Sequence, residues 1–313
     1  MNIKDRLPIL ETIVCPSCGT PVKYLDEFNN PACKCGKLRL LGQNRNIIDF
    51  KPYFKYKFPQ VSESEFGKIG KPGAEIYFDN LYENFFSKST WYKIFRTALI
   101  AEIVRRYAGG KRGKDKIVAN LGAGKCELDK ILLSSKSVTN IIAVDILKGI
   151  YRVANENPLI TVIRANILSK IFVEESIDVM ICSHVIEHNT KENGMRLLDN
   201  IYKALKMNGI LILGLPNGDL EKRSPDDPTH ISSYSYQEIR DKIEKSGFEI
   251  LVEYGTFYSD RILQGLNEWN VHLYDNITDV DSRIAKIWME SLISMMSCKD
   301  SKEFLFVCRK VSR

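Results

Sequence analysis

The chain has 313 residues, enough for two domains or for one domain with attachments, and its 44% hydrophobic and 27% charged residues are the mix of a globular protein. A net charge of +6 is too mild to demand nucleic acid as a partner. No apolar run approaches the ~18 residues of a membrane span, and residues 1–14 lack the basic-then-apolar pattern of a signal segment, so a soluble, cytoplasmic protein is expected.

The eight cysteines fall into two groups. Cys126, Cys182, Cys298 and Cys308 are scattered and read as small buried apolar residues. Cys15-Pro16-Ser17-Cys18-Gly19 puts two thiolates on a tight turn, and Cys33-Lys34-Cys35-Gly36 repeats the arrangement one residue shorter. Four thiolates so spaced can surround a tetrahedral Zn²⁺. Disulfides or free thiols are the other readings, and a reducing cytosol disfavours disulfides. No histidine precedes His184, so the local donor set is all cysteine. Residues 1–50 hold too few apolar side chains to fold alone, which makes the metal structural. Their core and that of the following domain are expected to be separate.

Residues 51–115 read as a linker and N-terminal lid helices. Lys51 to Phe58 alternates basic and aromatic residues. That pattern suits a docked linker strand, or a surface that stacks on bases and meets phosphates. Ser62 to Pro72 contains Gly67 and Gly70 and looks like a joint. Helical character begins at Tyr77–Tyr82. Trp91, Phe95, Leu99, Ile103 and Tyr107 then recur every fourth residue, an apolar stripe that Gly109-Gly110 ends.

Lys116 to Ile146 is the stretch around which residues 116–313 are organised. Ile117 to Leu121 suits a buried strand, Gly122-Ala123-Gly124 a turn without bulk, and Lys125 to Leu133 a helix with Leu128, Ile131 and Leu132 on one face. A second buried run, Ile141 to Val144, ends in Asp145. Strand, glycine turn, helix, strand and acid together bind an adenosine-containing cofactor. The turn lets backbone approach the ligand, the helix start offers N–H groups, and the acid can accept from both ribose hydroxyls. A dinucleotide fingerprint needs a third glycine where Glu127 stands, and a carboxylate there would repel a pyrophosphate.

Further strands follow at regular intervals. Thr161 to Ile167 is a third, containing Asn166, and Ile177 to Cys182 is a fourth, followed by Ser183-His184-Val185-Ile186-Glu187-His188. Ile210 to Pro216 is a fifth, succeeded by a polar loop to Thr229. Ser235 with Glu238 forms a capping box for a helix that Gly247 closes. Glu249 to Phe257 and Glu303 to Arg309 are the sixth and seventh strands. Between them, residues 258–302 form a helical insertion, either a lid or a homodimer surface.

Asn120-Leu121-Gly122-Ala123-Gly124 and Val144-Asp145-Ile146-Leu147 resemble the first two motifs of class I S-adenosylmethionine (SAM)-dependent methyltransferases. Asn166, the Glu187-His188 pair and the segment from His230 through Gly247-Phe248 resemble later motifs of the same family, of the methyltransferase type 11 kind. The resemblance implies an α/β fold, a Rossmann-like seven-stranded methyltransferase sheet with a helical lid. It implies SAM held by Asn120, Leu121, Gly122, Ala123, Gly124, Asp145, Ile146, Asn166, Ile167, Ser183 and His184, with Asn166 at the adenine and Tyr77 and Tyr82 as lid candidates. The N-terminal segment is similar to zinc ribbons found ahead of some methyltransferase domains, with Cys15, Cys18, Cys33 and Cys35 as ligands. Some quinone-pathway relatives hold a divalent ion after the fourth strand, with an acid where this chain has His184.

The acceptor is open at this point. A small molecule (lipid, quinone, sugar or other metabolite) methylated at oxygen or carbon is one reading. An RNA held by the ribbon and the basic-aromatic linker is a second, and a non-catalytic binding module a third. The Pro-Pro-Tyr signature of amino methylation is absent. Oxygen and carbon nucleophiles must lose a proton, and histidine is the side chain suited to take it near neutral pH. His230, His188 and Glu187 are therefore the candidate catalytic residues, with His230 as base or anchor and Asp226 and Asp227 placed to orient it.

Overall fold

The computed structural model describes residues 7–22, 32–41, 46–50, 90–108, 116–135, 138–147, 149–220, 230–256, 288 and 291–313. Expectations placed on Lys51–Phe58, Ser62–Pro72, Tyr77, Tyr82, Gly109-Gly110, Asp226-Asp227 and most of 258–302 lie outside the described residues.

In chain order the strands are β1 (Arg39–Leu41), β2 (Ile47–Asp49), β3 (Ile117–Leu121), β4 (Asn140–Asp145), β5 (Ile160–Arg164) and β6 (Ile177–Ser183). They continue with β7 (Leu205–Pro216), β8 (Phe248–Thr256) and β9 (Glu303–Lys310). The helices are α1 (Leu7–Leu10), α2 (Thr90–Ala108), α3 (Glu127–Ser134), α4 (Ile150–Glu156), α5 (Lys191–Ala204) and α6 (Tyr236–Lys245). One sheet joins the strands in the order β1-β2-β5-β4-β3-β6-β7-β9-β8. Pairing from β2 through β7 is parallel, and β9 runs antiparallel between β7 and β8. The chain winds outward from β3 in one direction through β4 and β5 and in the other through β6 and β7. The crevice between the carboxyl ends of β3 and β6 is thus the switch point where such sheets bind ligands.

Period-two side-chain alternation divides the apolar residues between two faces. Val118, Ile141, Val162, Ile181 and Ile212 pack with α2, α3 and α4. Ala119, Ile142, Ile163, Met180 and Leu213 pack with α5 and α6. The α2 stripe forms as Phe95, Ile100, Ile103, Val104 and Ala108, all buried, with Leu99 and Tyr107 partly covered. Trp288, from the helical insertion, sets its ring edge-on to Phe95 at 5.3 Å. The capping box is present, with Ser235 Oγ accepting from Glu238 N, and Gly247 closes α6 at φ 84°.

Several sequence expectations need correction. Among the described residues the sheet has nine strands, not seven, because β1 and β2 extend its β5 edge. The N-terminal segment does not keep a separate core. Ile9, Leu10, Ile13, Cys15, Val22, Ile48 and Phe50 are buried in the same cluster as Ile142 and Ile163. A segment with so little apolar surface buries it by borrowing a face of the larger sheet. Ile131, expected inward on α3, is 42% exposed, and Asp129 takes the buried place. Strand β5 stops at Arg164, leaving Asn166 on the loop, and β7 begins at Leu205 rather than Ile210. Asn208, in the left-handed region at φ 62°, carries β7 through an irregularity in its pairing with β6.

Candidate functional site

The glycine turn expected at the cofactor follows β3. Gly122 and Gly124 have φ of 68° and 53°, conformations that favour residues without Cβ, and a Cβ on Gly122 would collide with Val185. The N–H groups of Gly122 and Ala123 bond the Val144 carbonyl, fixing the turn to the end of β4. Asp145 is 6% exposed, and its two oxygens accept from the backbone N–H of Gly124 at 2.8 Å and of Leu147 at 2.9 Å. These two bonds hold the acid in place at the end of β4. Leu121, Ile146 and Ile167 border the same edge. Asn166 Oδ1 accepts from Leu168 N at 2.9 Å, so the oxygen expected at an adenine also stabilises its own loop.

Asn120 does something the sequence did not indicate. Its amide donates to Asp129 Oδ2 at 2.9 Å beneath the turn. Asp129 has no exposed surface, and burial raises its pKa to about 6 although Asn120 and Cys126 favour the ionised form. Cys126, which precedes α3 in the left-handed conformation, is buried against it. The clamp joins the end of β3 to the start of α3 from below, bracketing the glycine turn.

The histidine-rich region lies after β6 and β7. His184 takes the left-handed conformation at φ 56°, with its N–H on the Gly214 carbonyl. A non-glycine residue is strained there, by about 1–3 kcal/mol, and such strain persists where surrounding contacts enforce it. The enforcing contacts are on the ring. Nδ1 faces Glu187 Oε1 at 3.2 Å, and Nε2 faces Glu303 Oε1 at 3.2 Å and Arg96 Nη1 at 2.7 Å. A guanidinium only donates, so the Arg96 contact wants Nε2 unprotonated. Burial and Arg96 both favour neutral His184, but Glu303 and Glu187 outweigh them and hold its pKa above the ordinary value. Both forms that these contacts allow keep a proton on Nδ1 facing Glu187.

Glu187, in the short 3₁₀ turn Ile186–His188, is 1% exposed. Burial opposes its ionisation, yet His184, His188 and His230 together hold its pKa below the usual value. Among the described residues neither of its carboxylate oxygens has a well-aligned donor, although His184 Nδ1 lies 3.2 Å from Oε1. The ring nitrogens of His188 and His230 and a Glu187 oxygen all lie within 4.8 Å of one another, and the two rings meet edge-on at 5.0 Å. The Glu187 carbonyl accepts from Ile231 N at 2.9 Å and Ser232 N at 3.0 Å, stapling the His230 segment to the turn. Three of the chain's four histidines thus surround one buried carboxylate.

The sequence pointed to these three histidines and Glu187 but not to Arg96 and Glu303, which the structure places beside them. Glu303 opens β9, and because β9 is antiparallel its first residue returns to the carboxyl edge of the parallel strands. That placement was a usable signal. Arg96, in the midst of the α2 stripe, gave none.

The four N-terminal cysteines also converge. Their sulfurs lie within 4.8 Å of one another, with Cys15–Cys35 at 3.6 Å and Cys33–Cys35 at 3.3 Å. No disulfide joins them. The two turns match: Gly19 N bonds the Cys15 carbonyl and Gly36 N the Cys33 carbonyl, both glycines at positive φ. Sulfur–sulfur distances of this size and an all-thiol donor set fit a tetrahedral Zn²⁺.

Residues 119–213 match the family described as a methyltransferase domain. No curated protein matches the chain. Among solved structures, the 1,6-didemethyltoxoflavin-N1-methyltransferase of Burkholderia thailandensis, with bound 1,6-didemethyltoxoflavin and S-adenosylhomocysteine, is 10% identical at a TM-score of 0.51. That match covers 82% of this chain and 94% of that one. A SAM-dependent methyltransferase from Archaeoglobus fulgidus is 17% identical, at a TM-score of 0.48 over 75% of this chain and 99% of that one. At such identities the likeness is one of fold.

Proposed function

We propose that this chain, a SAM-dependent methyltransferase, methylates an oxygen or carbon nucleophile of a small molecule. The observation that carries the reading is the imidazole pair His188–His230 against buried Glu187, at the same sheet edge as Gly122, Gly124 and Asp145. SAM supplies a methyl group already activated on a sulfonium. The chain's residues hold the donor at one side of the crevice and the acceptor at the other. Asp145 accepts from the ribose, and the glycine turn admits the methionine end. As the acceptor O–CH₃ or C–CH₃ bond forms, the S–CH₃ bond breaks and its electron pair stays on sulfur. The acceptor's proton passes to His230, and Glu187 stabilises the imidazolium so formed. Positioning of this kind supplies on the order of 7–11 kcal/mol where the geometry is ideal.

The N-terminal cysteines hold one structural Zn²⁺ in the same reading. Cys15 and Cys18 from one turn and Cys33 and Cys35 from the other complete its coordination.

The test is His230→Ala, assayed by transfer of labelled methyl from SAM into a small-molecule extract. If His230 is the base, turnover falls roughly 10²–10⁴-fold with SAM affinity intact. Near-normal turnover removes His230 from the mechanism. Loss of SAM binding and stability in step with activity assigns it to packing.

A further inference from the structure

We propose that Arg96 and Glu303 are positioning residues for methyl transfer, fixing His184 and, through it, the carboxylate of Glu187 between His188 and His230. The inference rests on the acceptor-site reading above.

Four elements distant in sequence meet at this point. Arg96 Nη1, from α2, donates to Glu303 Oε1 at 2.7 Å and Oε2 at 2.9 Å. Thr256 Oγ1, at the end of β8, donates to Glu303 Oε2 at 2.7 Å. Glu303 in turn faces His184 Nε2, and His184 Nδ1 faces Glu187, both at 3.2 Å. The side chains of Arg96, Glu303, His184 and Glu187 are 14%, 13%, 21% and 2% exposed. Despite burial, Arg96 and His184 hold Glu303 well below the usual carboxylate range. The result is a line of groups, Arg96, Glu303, His184 and Glu187, in which a carboxylate follows each basic side chain from helix α2 to the histidine cluster.

Stability alone does not account for this line. Well-packed apolar residues often replace buried ion pairs at no cost or with a gain, because desolvation offsets much of the attraction. What the line does supply is direction. The Glu187 carboxylate lies 3.2 Å from His184 Nδ1, and its position follows that of the His184 ring. His184 has a strained backbone and takes its ring orientation from Glu303, and Glu303 is clamped by Arg96 and Thr256. Loosening Arg96 or Glu303 frees His184 to turn and lets Glu187 move relative to the two imidazoles. A misplacement near 1 Å costs about 10²-fold in rate. Helix α2 is therefore part of the machinery by position, although Arg96 reaches the two imidazoles only through Glu303, His184 and Glu187.

Full-length Arg96→Gln, Arg96→Lys, Glu303→Gln and Thr256→Val proteins test this in the labelled-methyl assay with the small-molecule extract. SAM affinity by calorimetry and melting temperature are measured on the same samples. Arg96→Gln and Glu303→Gln are expected to lose up to about 10²-fold in turnover with SAM affinity within about twofold. Arg96→Lys should recover most of the loss, and Thr256→Val should show a smaller loss of the same kind if Glu303→Gln does not fold. Unchanged turnover, or turnover that falls only in step with SAM affinity and melting temperature, overturns the proposal. Imidazole ¹⁵N spectra read the same chain without an acceptor. His188 and His230 signals should move in Arg96→Gln, and movement confined to His184 overturns the proposal. Normal turnover in His230→Ala would instead defeat the underlying reading, whatever the Arg96 and Glu303 variants show.

Discussion

Asp129 is a carboxylate without exposed surface, and among the described residues one of its oxygens has no hydrogen-bond partner. Its pKa of about 6 in the fold stands above the 3.8 of a free aspartate, burial being the chief cause. The sign follows from linkage. The folded state holds the proton more tightly than the unfolded one, so this group's contribution is fully present below about pH 4 and is lost as pH rises through about 6. The shift corresponds to about 3 kcal/mol at neutral pH. Asp129→Asn keeps an acceptor for Asn120 and removes the charge. Melting curves of the two proteins should diverge between pH 4 and 7, with the variant gaining relative to wild type as pH rises. Parallel curves would mean that Asp129 is ionised at no cost. Glu303 and Glu187 have lowered values and work in the opposite sense, losing stability as pH falls, so the comparison must be between the two proteins at each pH. Nothing in the residue pattern announced the clamp. Asp129 falls in the first turn of α3, where an acid ordinarily faces solvent and favours the helix start. Only the closeness of β3 to α3 shows that it turns inward to Asn120.

The parallel strands and their helices were legible because each is a short apolar run bounded by glycine or polar residues. Asp145, Glu187 and His188 could be located because each sits at or just beyond the end of such a run. The N-terminal segment was misjudged for a physical reason. Cysteine spacing reports local turns, and both turns formed. It carries no information on what Ile13, Ile48 and Phe50 bury against. Because they enter the core beneath β4 and β5, zinc removal should be felt by the whole molecule. A strong chelator under reducing conditions is expected to lower the melting temperature in one transition. Two transitions, with the later one at the original temperature, would restore an independent ribbon. Ile48→Ala, at a fully buried site on β2, should cost about 2–5 kcal/mol of stability by denaturant titration. A cost below about 1 kcal/mol would show that the β1–β2 edge is dispensable.

At the scale of the molecule, one sheet edge gathers the glycine turn after β3, Asp145, the histidine cluster and the line that begins at Arg96. The glycine turn and the histidine cluster follow different strands on either side of the switch point and meet where Gly122 packs on Val185. Salt dependence separates a small-molecule enzyme from one that holds RNA through its N-terminal region. RNA affinity that falls steeply with salt would favour the RNA acceptor, whereas weak binding at all salt concentrations fits the small-molecule reading. The most direct test of the account is calorimetric titration of SAM into the wild-type chain and into Asp145→Ala. One SAM should bind per chain, NAD should not bind tightly, and the variant should lose about 1.5–3 kcal/mol, as for a charged hydrogen-bond partner. Equal SAM affinity in the two proteins, or tight NAD binding by the wild type, would contradict the account.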